Sequence, residues 1–267
     1  MNPRWFGITI LMAGLAAVPV GAQNAAQAAA KAESKAIPRM PDGHPDMQGV
    51  WQHPYVPDMT QDRENQKGYC EPAAGSTVAK SAAAKPPCDL PFTPEGLANW
   101  KNYDVSKFDY TGHCLPFGLL RSMNVGGYPV QIMQNSTYLS FLFEQNTWFH
   151  VVYMDGRGHP AKLEPTWFGN SVGRWEGDTL VVDTIGFNGL TRLDTIGHPH
   201  SDAMHVIQKF TYTDRDHLNY EVTIDDPKMY TKPWSNTRTF WRMKPGEELI
   251  EYSCEENNRD FTQGHIK

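Results

Sequence analysis

The feature that most constrains this chain is a succession of short, β-rich segments beginning at Tyr128. YPVQIMQN, TYLSFLFEQ, TWFHVVYMD, SVGRWE, TLVVDTIGF, HVIQKFTYT, HLNYEVTID, NTRTFWRM and EELIEYSCE make nine segments rich in Val, Ile, Tyr, Phe, Trp and Thr. Gly, Pro, Asn or Asp turns separate them, and no helical stretch intervenes. β-branched and aromatic side chains fit a pleated, half-buried surface. The expectation is therefore an all-β fold over residues 127–260: an antiparallel calycin- or lipocalin-like barrel, with a β-sandwich as the alternative.

Side-chain parity sets the hairpins. In SVGRWEGDTLVVDT a two-residue Gly177-Asp178 loop pairs Trp175 with Leu180 and Gly173 with Val182, an apolar face. Val172, Arg174, Val181 and Asp183 share the other face, with Arg174 and Asp183 on a diagonal. In HVIQKFTYTDRDHLNYEVTID a three-residue Asp214-Arg215-Asp216 loop aligns Val206, Phe210, Tyr212, Leu218, Tyr220, Val222 and Ile224. Lys209 then opposes Glu221, and His205 opposes Asp225; a slip by one residue mixes the faces. A last hairpin turning at Pro245-Gly246 sets Thr239, Trp241 and Met243 inside with Ile250, Tyr252 and Cys254.

Ahead of the strands the chain reads differently. Residues 1–22 combine Arg4, the apolar run Trp5–Val20 and a small-residue cleavage site, the pattern of a secretory signal peptide. Residues 23–36 form a low-complexity, disordered leader. Residues 37–126 read as an irregular, Pro- and Gly-rich wrap with Trp51 as anchor. They contain one short helix over 93–102, capped by Thr93 and started by Pro94. Export favours disulfides, and four cysteines allow three connectivities. The preferred one joins Cys70 to Cys88, a local loop, and Cys114 to Cys254, tying the start of the domain to its last strand. A net charge of −6 without a basic block argues against a nucleic-acid partner, and 12% aromatic residues suit a small-molecule cavity. The expected location is periplasmic or secreted, with no membrane association after signal cleavage.

GHPHSDAMH places His198, His200 and His205 within nine residues. The spacing has some character of a divalent transition-metal site, although Pro199 restricts His198. The favoured expectation is no cofactor and one working imidazole. His205 acts as acid/base at the barrel rim, fixed by Asp225, with His200 near by and Tyr153 as hydrogen-bond donor. Arg174 or Arg157, together with His159, would hold an anionic group of the substrate, and Asp194 would join the histidine loop. Asp155-Gly156 is first of all a turn signal. Walker, GxGxxG and HExxH signatures are absent from the chain.

The runs PTWFGNSVGRWEGDTLVVDTIGFN, GHPHSDAMHVIQKF, VTIDDPKMYTKPW and EYSCEENN, with PDGHPDMQGVW and HCLPFG upstream, resemble a family of exported bacterial β-rich proteins of unassigned function. The resemblance spans most of residues 37–260 and implies export and a shared β-rich fold, but no reaction. It also implies that GRWEGDTLVVDT, DGRGHP and the histidine loop belong to a common core. Gln208 departs from the family pattern, which has Glu at that place. By fold-level analogy with lipocalin-shaped phenolic acid decarboxylases, the expectation is a cofactor-independent lyase, hydrolase or isomerase. Its substrate would be a small aromatic or apolar acid held in the barrel. The alternatives are a periplasmic carrier of a hydrophobic small molecule and a His-ligated metalloenzyme.

Overall fold

The computed structural model describes residues 36–61, 90–125 and 127–256. The signal segment, the leader up to residue 35 and the Cys70–Cys88 pair lie outside them. Nine strands, β1 (Gly49–Gln52), β2 (Val130–Gln134), β3 (Tyr138–Phe143), β4 (Phe149–Tyr153), β5 (Asn170–Glu176), β6 (Thr179–Ile185), β7 (His205–Asp214), β8 (His217–Asp225) and β9 (Trp234–Arg242), close into one barrel in chain order. Closure rules out the sandwich. Two of its seams are short: β1 meets β9 at two residue pairs, and β4 meets β5 at two.

The membership of the barrel differs from the sequence expectation. EELIEYSCE forms no strand, and Ile250 is 67% exposed. Its expected place beside β9 is taken by β1, from the N-terminal wrap. Trp51 opposes Val130 on β2 and Arg242 on β9, and both pairings are antiparallel. The barrel therefore starts at Gly49 rather than at residue 127, and the described residues from Ile37 onward form one compact unit. The antiparallel expectation fails at one seam, because β4 and β5 pair in parallel through Val152–Ser171 and Tyr153–Val172. The stretch between Tyr153 and Asn170 carries the chain back along the barrel before β5 begins.

Parity holds where an apolar face is strong. Trp175 opposes Leu180 and Gly173 opposes Val182. Phe210 opposes Tyr220 and His205 opposes Asp225; a bulge between Tyr212 and Asp214 absorbs one residue, so the turn itself is Arg215-Asp216. Leu180, Val182, Phe210, Leu218, Val222 and Phe240 are fully buried, each worth about 1.5–3 kcal/mol of apolar burial. On β9 the expected parity is reversed. Tyr220 pairs with Arg238, so the uniformly apolar face of β8 dictates that Trp234, Asn236, Arg238 and Phe240 point inward. Trp241, expected inside, is 39% exposed.

Helix α1 (Pro94–Lys101) matches the expected helix, and the Thr93 side chain accepts the Gly96 N–H. Two shorter helices were not foreseen: α2 (Val105–Phe108) and α3 (Leu119–Asn124). Cys114 and Cys254 are joined, as expected. The β6–β7 connection, the β8–β9 connection, the segment after β1 and the 90–125 stretch all gather at one end, the mouth. There the Thr93 N–H donates to Met229 O (2.9 Å), and Trp100 Nε1 donates to Ile196 O (3.2 Å). Among the described residues no helix is long and apolar enough to cross a membrane.

Candidate functional site

The structure separates the three histidines of GHPHSDAMH. Val206 points into the core, so by the two-residue period of a strand its neighbour His205 points outward. Its backbone faces Asp225 as expected, but its ring turns to β6, where Nε2 lies 2.8 Å from Asp183 Oδ1. His159 Nε2 bonds the same oxygen at 3.1 Å, and its Nδ1 meets Asn170 Oδ1 at 2.8 Å. This His–Asp–His group lies on the outer wall, partly open to solvent.

His200 is buried elsewhere. Its Nε2 accepts from Thr191 Oγ1 (2.6 Å) and its Nδ1 donates to Ser201 O (3.1 Å), which occupies both ring nitrogens. Burial pushes its pKa down to about 4, so the ring is neutral at physiological pH. His198, His200 and His205 thus form no common ligand set. The arginines also face away from the interior. Arg174 extends into solvent and pairs with Glu176 (2.6 Å). Arg157 pairs with Asp155 and covers the Tyr153 ring at 4.2 Å. Tyr153 is outward because Val152 beside it is in the core.

What the fold does assemble is a dyad of His198 and Asp194. Asp194 and Gly197 close a turn, with the Gly197 N–H donating to Asp194 O (3.3 Å) and the Leu193 N–H to His198 O (2.9 Å). Gly197 takes a φ of +86°, and an added Cβ would meet the Tyr103 ring, so this turn suits glycine. The turn brings His198 Nδ1 to 2.6 Å from Asp194 Oδ2. Asp194 also accepts the backbone N–H of His198 (3.1 Å) and of Met59 (3.1 Å). Burial alone would raise the Asp194 pKa; the facing His198 charge and these hydrogen bonds outweigh it and hold it below the usual carboxylate range. A second carboxylate, Asp58, approaches His198 Nδ1 to 3.9 Å.

The imidazole plane is held by rings. Trp100 stacks on His198 at 5.0 Å between centroids, and Phe92 lies at 6.2 Å. Tyr230 donates its hydroxyl to Pro199 O (2.8 Å), which anchors the loop from below. With Nδ1–H given to Asp194, Nε2 is the ring nitrogen left to exchange a proton. Among the described residues no group hydrogen-bonds to that atom. This is the tautomer and orientation of a general base.

Asp58, Asp194 and His198 also make a donor group of the kind that holds metals. The distances favour a different use. Two ligands about 2.1 Å from one ion lie ~3 Å or more apart, whereas Nδ1 and Oδ2 stand at hydrogen-bonding separation, 2.6 Å. Both Asp194 oxygens are already engaged by N–H donors.

Sequence reasoning gave Asp194 only a minor part beside His198 and missed Asp58. The i,i+4 spacing of Asp194 and His198 is the signal that identifies the dyad. Asp58 has none, because it arrives from the segment after β1. Comparisons with protein-family models, with curated proteins and with solved structures each found no match to this chain.

Proposed function

We propose that this chain is an exported, cofactor-independent enzyme in which His198, oriented by Asp194, moves a proton to or from a small aromatic substrate at the barrel mouth. One observation carries the reading: a buried imidazole with Nδ1 fixed on a carboxylate and Nε2 without a protein partner among the described residues. Asp194 holds the tautomer and stabilises the imidazolium that forms, while Trp100 and Phe92 provide the apolar wall for a ring. The reaction is of the lyase, hydrolase or isomerase type, whose difficult step is a proton transfer. With Arg174 and Arg157 facing solvent, the case for an acidic substrate loses its anchors. Export is supported by the N-terminal pattern and by the Cys114–Cys254 bond.

The test is a panel of phenyl acetate, dihydrocoumarin and a phenolic acid, followed for hydrolysis and decarboxylation. Turnover found in the wild type falls ~10²-fold or more in His198→Gln, and less in Asp194→Asn. A His198→Gln protein that keeps more than a tenth of the activity removes the assigned role.

A further inference from the structure

Beneath the dyad the barrel interior is unexpectedly polar. His53, Asn124, Gln208, Asn236 and Arg238 are all 2% exposed or less, and they cluster around Tyr220 and Phe240. Asn124 Nδ2 donates to Leu120 O (3.3 Å) and Asn236 Nδ2 to Met59 O (3.1 Å). A carbonyl only accepts, so both amide orientations are set and both Oδ1 atoms are acceptors. Among the described residues no group donates to either of them. His53 directs Nδ1 at Pro54 O (3.3 Å), and the Ser122 backbone also lies against its ring. The Gln208 amide meets the Tyr220 hydroxyl at 3.0 Å through one of its two polar atoms; its other one has no partner.

The cluster is contiguous with the mouth. Met59 donates its N–H to Asp194, and its carbonyl accepts from Asn236 and from Arg238 (2.8 Å). A buried amide edge without a partner is costly, and Leu or Met of similar size would avoid the cost. Several in one place break the rule for a core, as ligand sites do.

We infer that this interior is a binding site for one uncharged ring compound bearing hydroxyl or amide donors. The donors meet Asn124 Oδ1 and Asn236 Oδ1, and the ring meets the aromatic wall of Phe210, Tyr220 and Phe240. The acceptor atoms disfavour an anion, and Arg238 on the same wall disfavours a cation. Binding here does not require His198 to be catalytic.

The test uses the full mature protein with benzyl alcohol and benzamide as probes, against toluene and benzoate as controls, read by saturation-transfer NMR and titration. Benzyl alcohol and benzamide bind at least tenfold tighter than both controls. Asn236→Leu and Gln208→Met weaken them about tenfold, the loss of roughly one hydrogen bond, while the urea midpoints stay at or above wild type. Tyr220→Phe, which removes a single oxygen, serves if either variant fails to fold, and it weakens the probes likewise. His198→Gln binds them as the wild type does, which separates this site from the proposed chemistry. Probes that bind no better than toluene, or equally well to the variants, show ordered water only and overturn the proposal.

Discussion

Acid should open this barrel at a pH where most proteins are still stable. His53, His150 and His200 are fully buried, and burial holds each pKa near 4, against about 6.5 in an unfolded chain. The folded values are depressed, so each ring contributes stability in full above pH 6.5 and loses it as pH falls towards 4. A difference of about 2.5 pH units at ~1.36 kcal/mol each is about 3 kcal/mol per ring and about 10 kcal/mol for the three. That rivals the ~5–15 kcal/mol that holds a typical domain together. Around pH 5 the unfolded chain binds three more protons than the folded one, a slope of about 4 kcal/mol per pH unit. Urea titrations of the oxidised protein at pH 7, 6, 5.5 and 5, with constant m, measure it. His150→Phe isolates one ring. It sits between Phe141 and Phe168, and Ser171, its hydrogen-bond partner, keeps Thr184 (2.6 Å). The variant should lose about a third of the slope. A wild-type loss below ~1 kcal/mol between pH 6 and pH 5 would mean less than one proton taken up, and would refute the buried neutral histidines.

Three further outcomes follow from the fold. Cys254→Ser opens a link across 140 residues and should cost about 4–5 kcal/mol in the chain-entropy account; a urea-midpoint loss under ~1 kcal/mol contradicts it. Gly96→Ala, which in an exposed helix would add up to ~1 kcal/mol, should instead cost about 1–3 kcal/mol, because the new Cβ overlaps the Met229 carbonyl. A stabilised Gly96→Ala protein would show that α1 does not press on that turn. Arg174→Ala should change stability by less than ~0.5 kcal/mol and leave turnover untouched, since its pair with Glu176 lies in solvent; a drop in turnover would return Arg174 to the site.

Much of the fold was legible in local pattern. Turn residues and β-branched runs located eight of the nine strands, and strong apolar alternation set the registers of β5–β6 and β7–β8. Thr93-Pro94 marked the start of α1, and the Cys114–Cys254 pairing was the preferred one. The failures share a cause. GVWQ is too short to stand out among Pro and Gly, and only an open place between β9 and β2 makes it a strand. NTRTFWRM has two mixed faces, so its parity is set by β8, not by its own hydrophobicity.

The site divides the same way. By itself the sequence determined that the protein is β-rich, that the histidine loop bears polar groups and that Asp194 and His198 are one helical-turn spacing apart. Periodicity and turn chemistry act over a few residues, and those features are visible there. Only the tertiary structure decided which imidazole meets which carboxylate: His198 with Asp194 inside, His205 with Asp183 on the outer wall. It likewise sent Arg174 into solvent and Arg238 into the interior. Those choices depend on register with neighbouring strands and on segments such as 53–60 that arrive from far along the chain. Whether a polar side chain faces water or a cavity is settled by the partners packed around it.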